Sequence, residues 1–508
     1  MDSVMKSLPM VALRGLTIMP EMVVHFDVSR ERSITAVQQA MMEDQKIFLV
    51  AQKSIETEDP GQEDVYSIGT VATVRQVIKL PKKIVRVLVS GEQRGRLTGI
   101  SEKEPYLKAE VERLEETDFG IEDEIQKEAR YEMLRKHYPK LYNKYAARPV
   151  NEKKVVFIEV RESKISDSFS LMYKKVQEEH KYEIHTHFLR SGFSKRKDYQ
   201  HACEAMITDI ADAKYIFLNE SSDVIAALPM RKETIVTQLW HGCGAFKKFG
   251  MSTAELIFGD DRKTLEKYPY HGNYTYVTVS SPEVVWAYEE AMSLQDKKGV
   301  VVPTGISRSD IFYDEEAKKA AQEKLLSVVP QAKGKKVILY APTFRGRVAK
   351  AKTPNKLDIA AFGDALGKDY ILLFKLHPFV KKRTAIPEGY EDFAFDLTDD
   401  MSIEELLFVA DICISDYSSL VFEYSLFEKP MIFFAFDLDN YYDWRGFYYD
   451  YKDFVPGPIH TTTEEMIEYI QHVDERFDKK KVQEFRQKFM SACDGHATER
   501  IMKMMFGE

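Results

Sequence analysis

The sequence predicts an α/β protein with a small, mainly-β head, and three observations carry that reading. From residue 151 onward, short continuous apolar runs alternate with helical segments, the pattern of parallel sheets covered on both faces. The alternation occurs twice, over 151–305 and again over 306–508, which predicts two Rossmann-like domains facing a cleft. Before residue 115 the apolar residues instead recur with period two, as in half-buried antiparallel strands. The 508 residues, 44% hydrophobic and 30% charged, suit a soluble chain of about three or four domains.

In the head (1–115), strands are expected at 9–13, 22–28, 47–51, 68–78 and 84–91, with one amphipathic helix at 33–43. Caps for that helix are available in 29–33, and Ile34, Val37, Ala40 and Met41 share a face. Nothing in this stretch carries chemistry. Leu8-Pro9-Met10-Val11-Ala12-Leu13-Arg14-Gly15, Ile18-Met19-Pro20, Val65 to Gly69 and Arg86-Val87-Leu88-Val89-Ser90-Gly91 together resemble the amino-terminal domain of Lon-type ATP-dependent proteases. The resemblance implies substrate binding and assembly, hence a protein client as partner. A Lon engine is excluded, because no G-x-x-x-x-G-K-[ST] phosphate loop occurs anywhere.

Residues 116–150 read as a charged helical connector. Tyr131, Leu134, Tyr138, Leu141, Tyr142 and Tyr145 recur at helical spacing beside Arg135, Lys136, Lys140, Lys144 and Arg148. Such a stretch either packs on its own domain or lies on an anionic membrane surface. Pro139 is expected to interrupt it. No run reaches the ~18 apolar residues that cross a bilayer, so any membrane contact is expected to be peripheral. The net charge of −9 argues against nucleic acid as partner. Four scattered cysteines with no C-x-x-C pair read as reduced thiols of a cytoplasmic protein, not as a disulfide framework or zinc site.

The next strands are expected at 155–160, 215–218, 235–239 and 276–279, and those of the last region at 337–340, 371–375, 412–415 and 431–434. Four polar islands follow such runs. In an open α/β sheet the ligand crevice lies outside the carboxyl ends of the strands, so these islands are the candidate site. His241-Gly242 follows 235–239, and a neutral imidazole there can take a proton from an attacking hydroxyl. Lys247 and Lys248 stand a few residues on and attract phosphate. Thr343-Phe344-Arg345 follows 337–340, and the Arg345 guanidinium suits a pyrophosphate clamp. His377, stiffened by Pro378, suits a departing phosphate. Asp416-Tyr417-Ser418-Ser419 precedes a helix expected at 420–427, whose N-terminus favours phosphate, with Glu423 in reach of a ribose hydroxyl. Thr304-Gly305 opens a further polar loop that either lines the cleft or links the domains. Tyr441, Tyr442, Arg445 and Tyr448 form an aromatic loop read as a wall on the acceptor side. No Asp/Glu/His cluster has metal-ligand spacing, so neither metal nor cofactor is expected.

These islands, with Arg308-Ser309-Asp310, Glu428-Lys429-Pro430 and Arg445-Gly446-Phe447-Tyr448, resemble in order and spacing the CDP-glycerol glycerophosphotransferase family of teichoic-acid polymerases and primases, over about 150–480. The resemblance implies a GT-B-type pair of domains, the first for the acceptor and the second for the nucleotide donor. It implies transfer of glycerol phosphate from CDP-glycerol to a polyol-phosphate or glycan acceptor, lipid-linked forms included, with CMP released at the inner face of the plasma membrane. His241 would then be the general base and His377 would stabilise the β-phosphate or leaving CMP. Arg345, Ser418 and Ser419 would hold the pyrophosphate, Asp416 would orient the loop or the glycerol, and Thr304 and Gly305 would line the donor side. Cys243-Gly244-Ala245-Phe246 departs from the family pattern after His-Gly, and 159–164 lacks the glycines expected of the first loop. Two rival readings are a related transferase using CDP-ribitol or a nucleotide sugar, and a non-catalytic scaffold with a docking head.

Overall fold

The computed structural model describes residues 5–18, 20, 22–54, 56–80, 84–102, 104–113, 129–254, 256, 261–345, 352–354, 356–377, 380, 382–438 and 446–507. The chain forms two compact units, Met1–Ile121 and Glu122–Glu508.

The first unit is a six-stranded sheet of β1 (Met5–Leu13), β2 (Val23–Val28), β3 (Lys46–Ala51), β4 (Ile68–Leu80), β5 (Ile84–Glu102) and β6 (Lys108–Arg113). The order is β2-β5-β4-β3-β1-β6, and β6 also pairs with β5, closing five strands into a ring. Only the β1–β3 pairing is parallel. Gly69 and Gly95 face each other across β4 and β5. A Cβ at Gly69 would lie 2.6 Å from the Phe48 ring, so this glycine makes room for a fully buried aromatic. The helix spans Glu31–Met42, two residues earlier than expected, and its N-cap, Arg30, supplies no side-chain cap. It buries Ser33, Ala36, Val37 and Ala40. Met41 is 38% exposed, so the buried face turns toward Ala36 from the one read in the sequence.

The second unit holds two all-parallel six-stranded sheets. One comprises β7 (Asn151–Glu159), β8 (Glu183–Phe188), β9 (Ala213–Leu218), β10 (Ile235–Gln238), β11 (Tyr276–Thr278) and β12 (Val301–Val302), in the order β12-β11-β10-β9-β7-β8. The other comprises β13 (Lys336–Tyr340), β14 (Tyr370–Phe374), β15 (Ala394–Asp396), β16 (Ile412–Ser415), β17 (Met431–Phe434) and β18 (Ile459–His460), in the order β15-β14-β13-β16-β17-β18. The central strands are apolar over most of their length because helices cover both faces; all five residues of β14 are buried. Strand order reverses between β7 and β9 and between β13 and β16. These are the switch points at which crevices open.

The sequence reading does not include β8, because His185 and His187 interrupt its apolar pattern. Both imidazoles hydrogen-bond Asp209 on the adjacent helix Arg196–Ile210, so a polar edge strand is held by hydrogen bonds to a carboxylate. In the stretch expected to connect, helix runs to Tyr145 through a π-turn at Met133–His137. That turn precedes Pro139, which therefore stands in the first turn of Tyr138–Tyr145 and does not break it. Leu134, Tyr138 and Tyr142 are buried, and Tyr131 stacks on Tyr268 at 3.6 Å. The aromatic stripe thus packs on its own unit, and Arg135, Lys136, Lys140 and Lys144 face solvent. Among the described residues, no helix is long and apolar enough to cross a membrane.

The last helix, Ala497–Phe506, does not stay with the second sheet. Ile501, Met502 and Met505 pack with Val155, Phe157, Phe169 and Phe217 on a face of the first.

Candidate functional site

The base loop grows out of β10. Gln238 ends the strand, and its side-chain oxygen accepts the Trp240 N–H at 3.0 Å. Trp240 takes φ +60, a backbone region costly for a large side chain and found where a loop is held for a purpose. The next residue, His241, lies against the Trp240 ring at 4.4 Å. Its Nδ1 is 3.0 Å from the main-chain oxygen of Asn219. A carbonyl only accepts, so Nδ1 carries a proton, and in the neutral ring the lone pair is on Nε2. Glu220 Oε1 lies 3.4 Å from the same Nδ1 and would steady the imidazolium formed when Nε2 takes up a proton. The Asn219 side chain donates to Glu159 Oε2 at 2.7 Å and to Ser166 Oγ at 3.0 Å, so the ends of β7, β9 and β10 are tied together behind the base.

Beyond His241 the loop turns toward the second sheet. A Cβ at Gly242 would lie 3.5 Å from Ser419 Oγ, so the base loop and the serine loop are neighbours. Gly244, at φ +67, sits where a Cβ would meet the Phe422 ring at 2.2 Å. Its N–H is held by Ser280 Oγ at 2.9 Å, and its oxygen accepts the Tyr288 hydroxyl at 3.0 Å. Lys247 bridges Phe447, and the Lys248 N–H donates to the Gly446 oxygen at 3.2 Å. Both lysines are thus carried on a short antiparallel contact with the aromatic loop. Arg445, Tyr441 and Tyr442 lie outside the described residues.

His377 follows β14 with its ring 4.8 Å from that of Phe344. Burial, joined by the cations Lys247 and Arg161, pushes its pKa down to about 4. Arg161 also lies 3.6 Å from Glu220, the carboxylate beside His241. Arg161 thus acts electrostatically on His377 and pairs with the carboxylate that flanks His241.

Arg345 occupies a different place from the one expected of a pyrophosphate clamp. Its Nε and Nη2 bind the two Asp437 oxygens at 2.7 and 2.9 Å, Nη1 donates to Thr343 O at 2.6 Å, and Asp416 Oδ2 lies 2.9 Å from Nη2. Asp416 is 2% exposed and also accepts the N–H groups of Thr343 and Tyr417 at 2.8 and 2.6 Å. A buried carboxylate needs a countercharge, and Arg345 supplies it. The guanidinium ties the loop after β13 to the loop after β16.

Ser418 Oγ accepts from Leu420 N at 3.4 Å. Ser419 is the N-cap of a helix of only six residues, Leu420–Ser425, and its hydroxyl does no capping. Glu423 is buried at 3.0 Å from Arg308 Nε, away from the open position expected of a ribose ligand. Thr304 and Gly305 are placed elsewhere too. Arg500 Nε donates to Thr304 O at 2.8 Å, and a Cβ at Gly305 would lie 2.2 Å from Ala492 O, so this turn packs on the C-terminal segment. Arg161, Asn219, Glu220 and Asp437 are absent from the sequence-derived site, and Arg308 enters it only within the Arg308-Ser309-Asp310 segment, with no role of its own. Applying the strand-end rule to β7 and β9 would have found Arg161, Asn219 and Glu220. An open cavity of about 560 Å3 lies between helices Tyr138–Tyr145 and Arg196–Ile210, lined by His137, Leu141, His201, Glu204, Ala205 and Thr208, and contains none of these groups.

Two parallel α/β sheets with imidazoles, cations and hydroxyls on their strand-end loops, the base loop and the serine loop adjoining at Gly242 and Ser419, suit a protein that handles phosphorylated ligands. The chain belongs to the CDP-glycerol:poly(glycerophosphate) glycerophosphotransferase family, whose model matches residues 141–507. Residues 7–185 match the substrate-binding domain of ATP-dependent protease La (LON), a match that runs on into the first parallel sheet. The chain is 36% identical over 359 residues to the teichoic acid ribitol-phosphate primase of Bacillus spizizenii, covering 70% of this chain and 90% of that protein. It is 37% identical over 363 residues to the teichoic acid poly(ribitol-phosphate) polymerase of the same species, covering 71% of this chain but 57% of the polymerase. Relatives named for ribitol phosphate are 35–37% identical, and those named for glycerol phosphate 26–30%. The solved structure of the wall teichoic acid polymerase TagF shares the fold, with a TM-score of 0.60 and 22% identity over 75% of this chain and 97% of that one.

Proposed function

We propose that this chain is a polyol-phosphate transferase that moves polyol phosphate from a CDP-polyol to a hydroxyl of a teichoic-acid-type acceptor and releases CMP. The two sheets are read as a GT-B pair, with the acceptor on the His241 side and the nucleotide donor at the β13–β16 switch point. The observation that carries the reading is the His241 contact: with Nδ1–H held by the Asn219 carbonyl, Nε2 of the neutral ring is the nitrogen left to take a proton, on a loop that neighbours the serine loop through Gly242 and Ser419. The acceptor oxygen attacks the β-phosphorus as Nε2 takes its proton, and the bridging P–O bond breaks so that CMP departs with the bridging oxygen. Lys247 and Arg161 offset the charge on the phosphoryl oxygens, and His377 hydrogen-bonds the β-phosphate or the leaving CMP. Ser418 and Ser419 contact the pyrophosphate, and Asp416, braced by Arg345, orients their loop.

Ribitol is placed ahead of glycerol as the donor polyol, supported by the higher identity to the ribitol-phosphate relatives. The head is read as a protein-docking module, and any membrane contact as peripheral. The test is CMP release by the full chain from CDP-ribitol, CDP-glycerol and a UDP-sugar with a polyol-phosphate acceptor, repeated with His241→Ala. CDP-ribitol is expected to turn over fastest, and His241→Ala to lose on the order of 100-fold or more. Wild-type turnover by His241→Ala would remove this residue from the mechanism, and release from the UDP-sugar alone would overturn the donor class.

A further inference from the structure

Behind the base loop lies a buried charge cluster that the proposed chemistry does not use. Arg308 stands in the turn Ser307–Tyr313 after β12, its side chain 12% exposed. Its Nη1 donates to the main-chain oxygen of His241 at 2.9 Å. Its Nε lies 3.0 Å from Glu423 Oε1, and its Nη2 pairs with Glu404. His241 belongs to a loop of the first sheet. Glu404 and Glu423 stand on helices Ile403–Val409 and Leu420–Ser425, which flank β16 in the second, and Glu423 is four residues beyond Ser419. One guanidinium thus bonds to the backbone of the base and to the short helix that follows the serine loop.

We propose that Arg308 is a positioning residue for the transfer reaction, holding the base loop of one sheet in register with the serine loop of the other through the His241 carbonyl and Glu423. The inference rests on the polyol-phosphate transferase reading. Burying an ion cluster gains little stability over apolar packing, so adhesion alone does not account for it. What the guanidinium adds is direction, because its planar fork fixes three oxygens in one geometry and an ammonium does not.

The cluster is also short of positive charge. Facing Glu423 are Arg308, Glu404, Asp167 of helix Asp167–Glu178, and the Cys243 thiol of the base loop. Burial, reinforced by Glu404 and Asp167, pushes the Glu423 carboxyl up to about 7 against the pull of Arg308. The ionised carboxylate pairs with Arg308 and the protonated one does so weakly, so the latch tightens as pH rises through neutrality.

The test uses Arg308→Lys and Glu423→Gln in the full chain, assayed by CMP release from CDP-ribitol and by urea unfolding. Arg308→Lys is expected to lower kcat by on the order of 100-fold, the cost of a base displaced by about 1 Å, with the donor KM changed by less than about threefold. On the acid side of about pH 7, where the Glu423 carboxyl takes up its proton, log kcat of the wild type should rise with pH with a slope near two, Glu423 contributing one proton of that slope. Glu423→Gln should reduce that slope to about one. A folded Arg308→Lys with wild-type kcat, or an unchanged slope in Glu423→Gln, overturns the inference. If Arg308→Lys does not fold, the near-isosteric Glu423→Gln decides alone. If the wild type releases CMP from no CDP-polyol, the transferase reading falls. The latch is then judged by amide exchange at 241–244, where faster exchange in Glu423→Gln at pH 8 supports it and unchanged exchange refutes it.

Discussion

Replacing Arg345 by alanine separates two roles that one guanidinium can play. A clamp waiting for pyrophosphate would carry little folding energy, and its removal would cost affinity alone. In the structure the side chain bonds Asp437 twice, lies 2.9 Å from Asp416 and reaches the Thr343 carbonyl. Asp416 is 2% exposed, so Arg345→Ala strands a buried carboxylate, a change that typically costs 3–5 kcal/mol, and we expect about that loss. Asp437 is about one-fifth exposed and can recover some hydration, which places the expectation toward the lower end, about 3 kcal/mol. The assay is urea unfolding followed by tryptophan fluorescence. Trp240, Trp286 and Trp444 are the chain's three tryptophans and all fall within Glu122–Glu508, so the signal reports this unit. Arg345→Ala, Asp416→Ala and the double variant form a cycle whose coupling should exceed about 1 kcal/mol. Loss of donor affinity with stability within about 0.5 kcal/mol of wild type would refute the strut and restore the clamp.

Other expectations follow from the same geometry. His377 has its pKa depressed to about 4, below its unfolded value, so between roughly pH 6.5 and 4 the unfolded chain binds more protons and stability is lost as pH is lowered. His377→Gln should flatten that part of the stability–pH curve, and binding of a CDP-polyol should raise the His377 pKa measured by NMR. Gly244→Ala places a methyl 2.2 Å from the Phe422 ring at a positive φ, and should cost about 2 kcal/mol or more and lower turnover with it, read by unfolding and CMP release. Asn219→Ala frees the peptide that holds His241 Nδ1–H, and should lower kcat by about tenfold with little change in donor KM; an unchanged kcat would separate the Glu159–Asn219 tie from the tautomer.

Much of the fold is legible because it is local. The apolar runs of β10, β13, β14, β16 and β17 stand out in the sequence, and the parallel arrangement follows from their being apolar on both faces. His241, His377 and the serine loop are legible for a related reason: polar residues just past such a run lie at a sheet's carboxyl edge whatever the rest of the chain does. β8 is not, since its histidines are matched by Asp209 from a helix more than twenty residues away. Thr304-Gly305 looks like a ligand loop because a flexible turn after a short strand has the same composition whether it meets a nucleotide or, as here, the backbone of Ala492.

The sequence by itself determined the two parallel-sheet halves, the β-rich head and the placement of His241 and His377 just past strand ends, because hydrophobic period and strand-end position are set within a few residues. Tertiary structure alone decided how the charges were used. Arg345 is paired with Asp437, 92 residues away, and Arg308 with Glu404, 96 residues away. The His241 proton is assigned by a carbonyl 22 residues earlier, and the final helix packs on the first sheet, not the second. A charged side chain has many possible partners along a chain, and only folding selects which of them is near enough, and dry enough, to bind it.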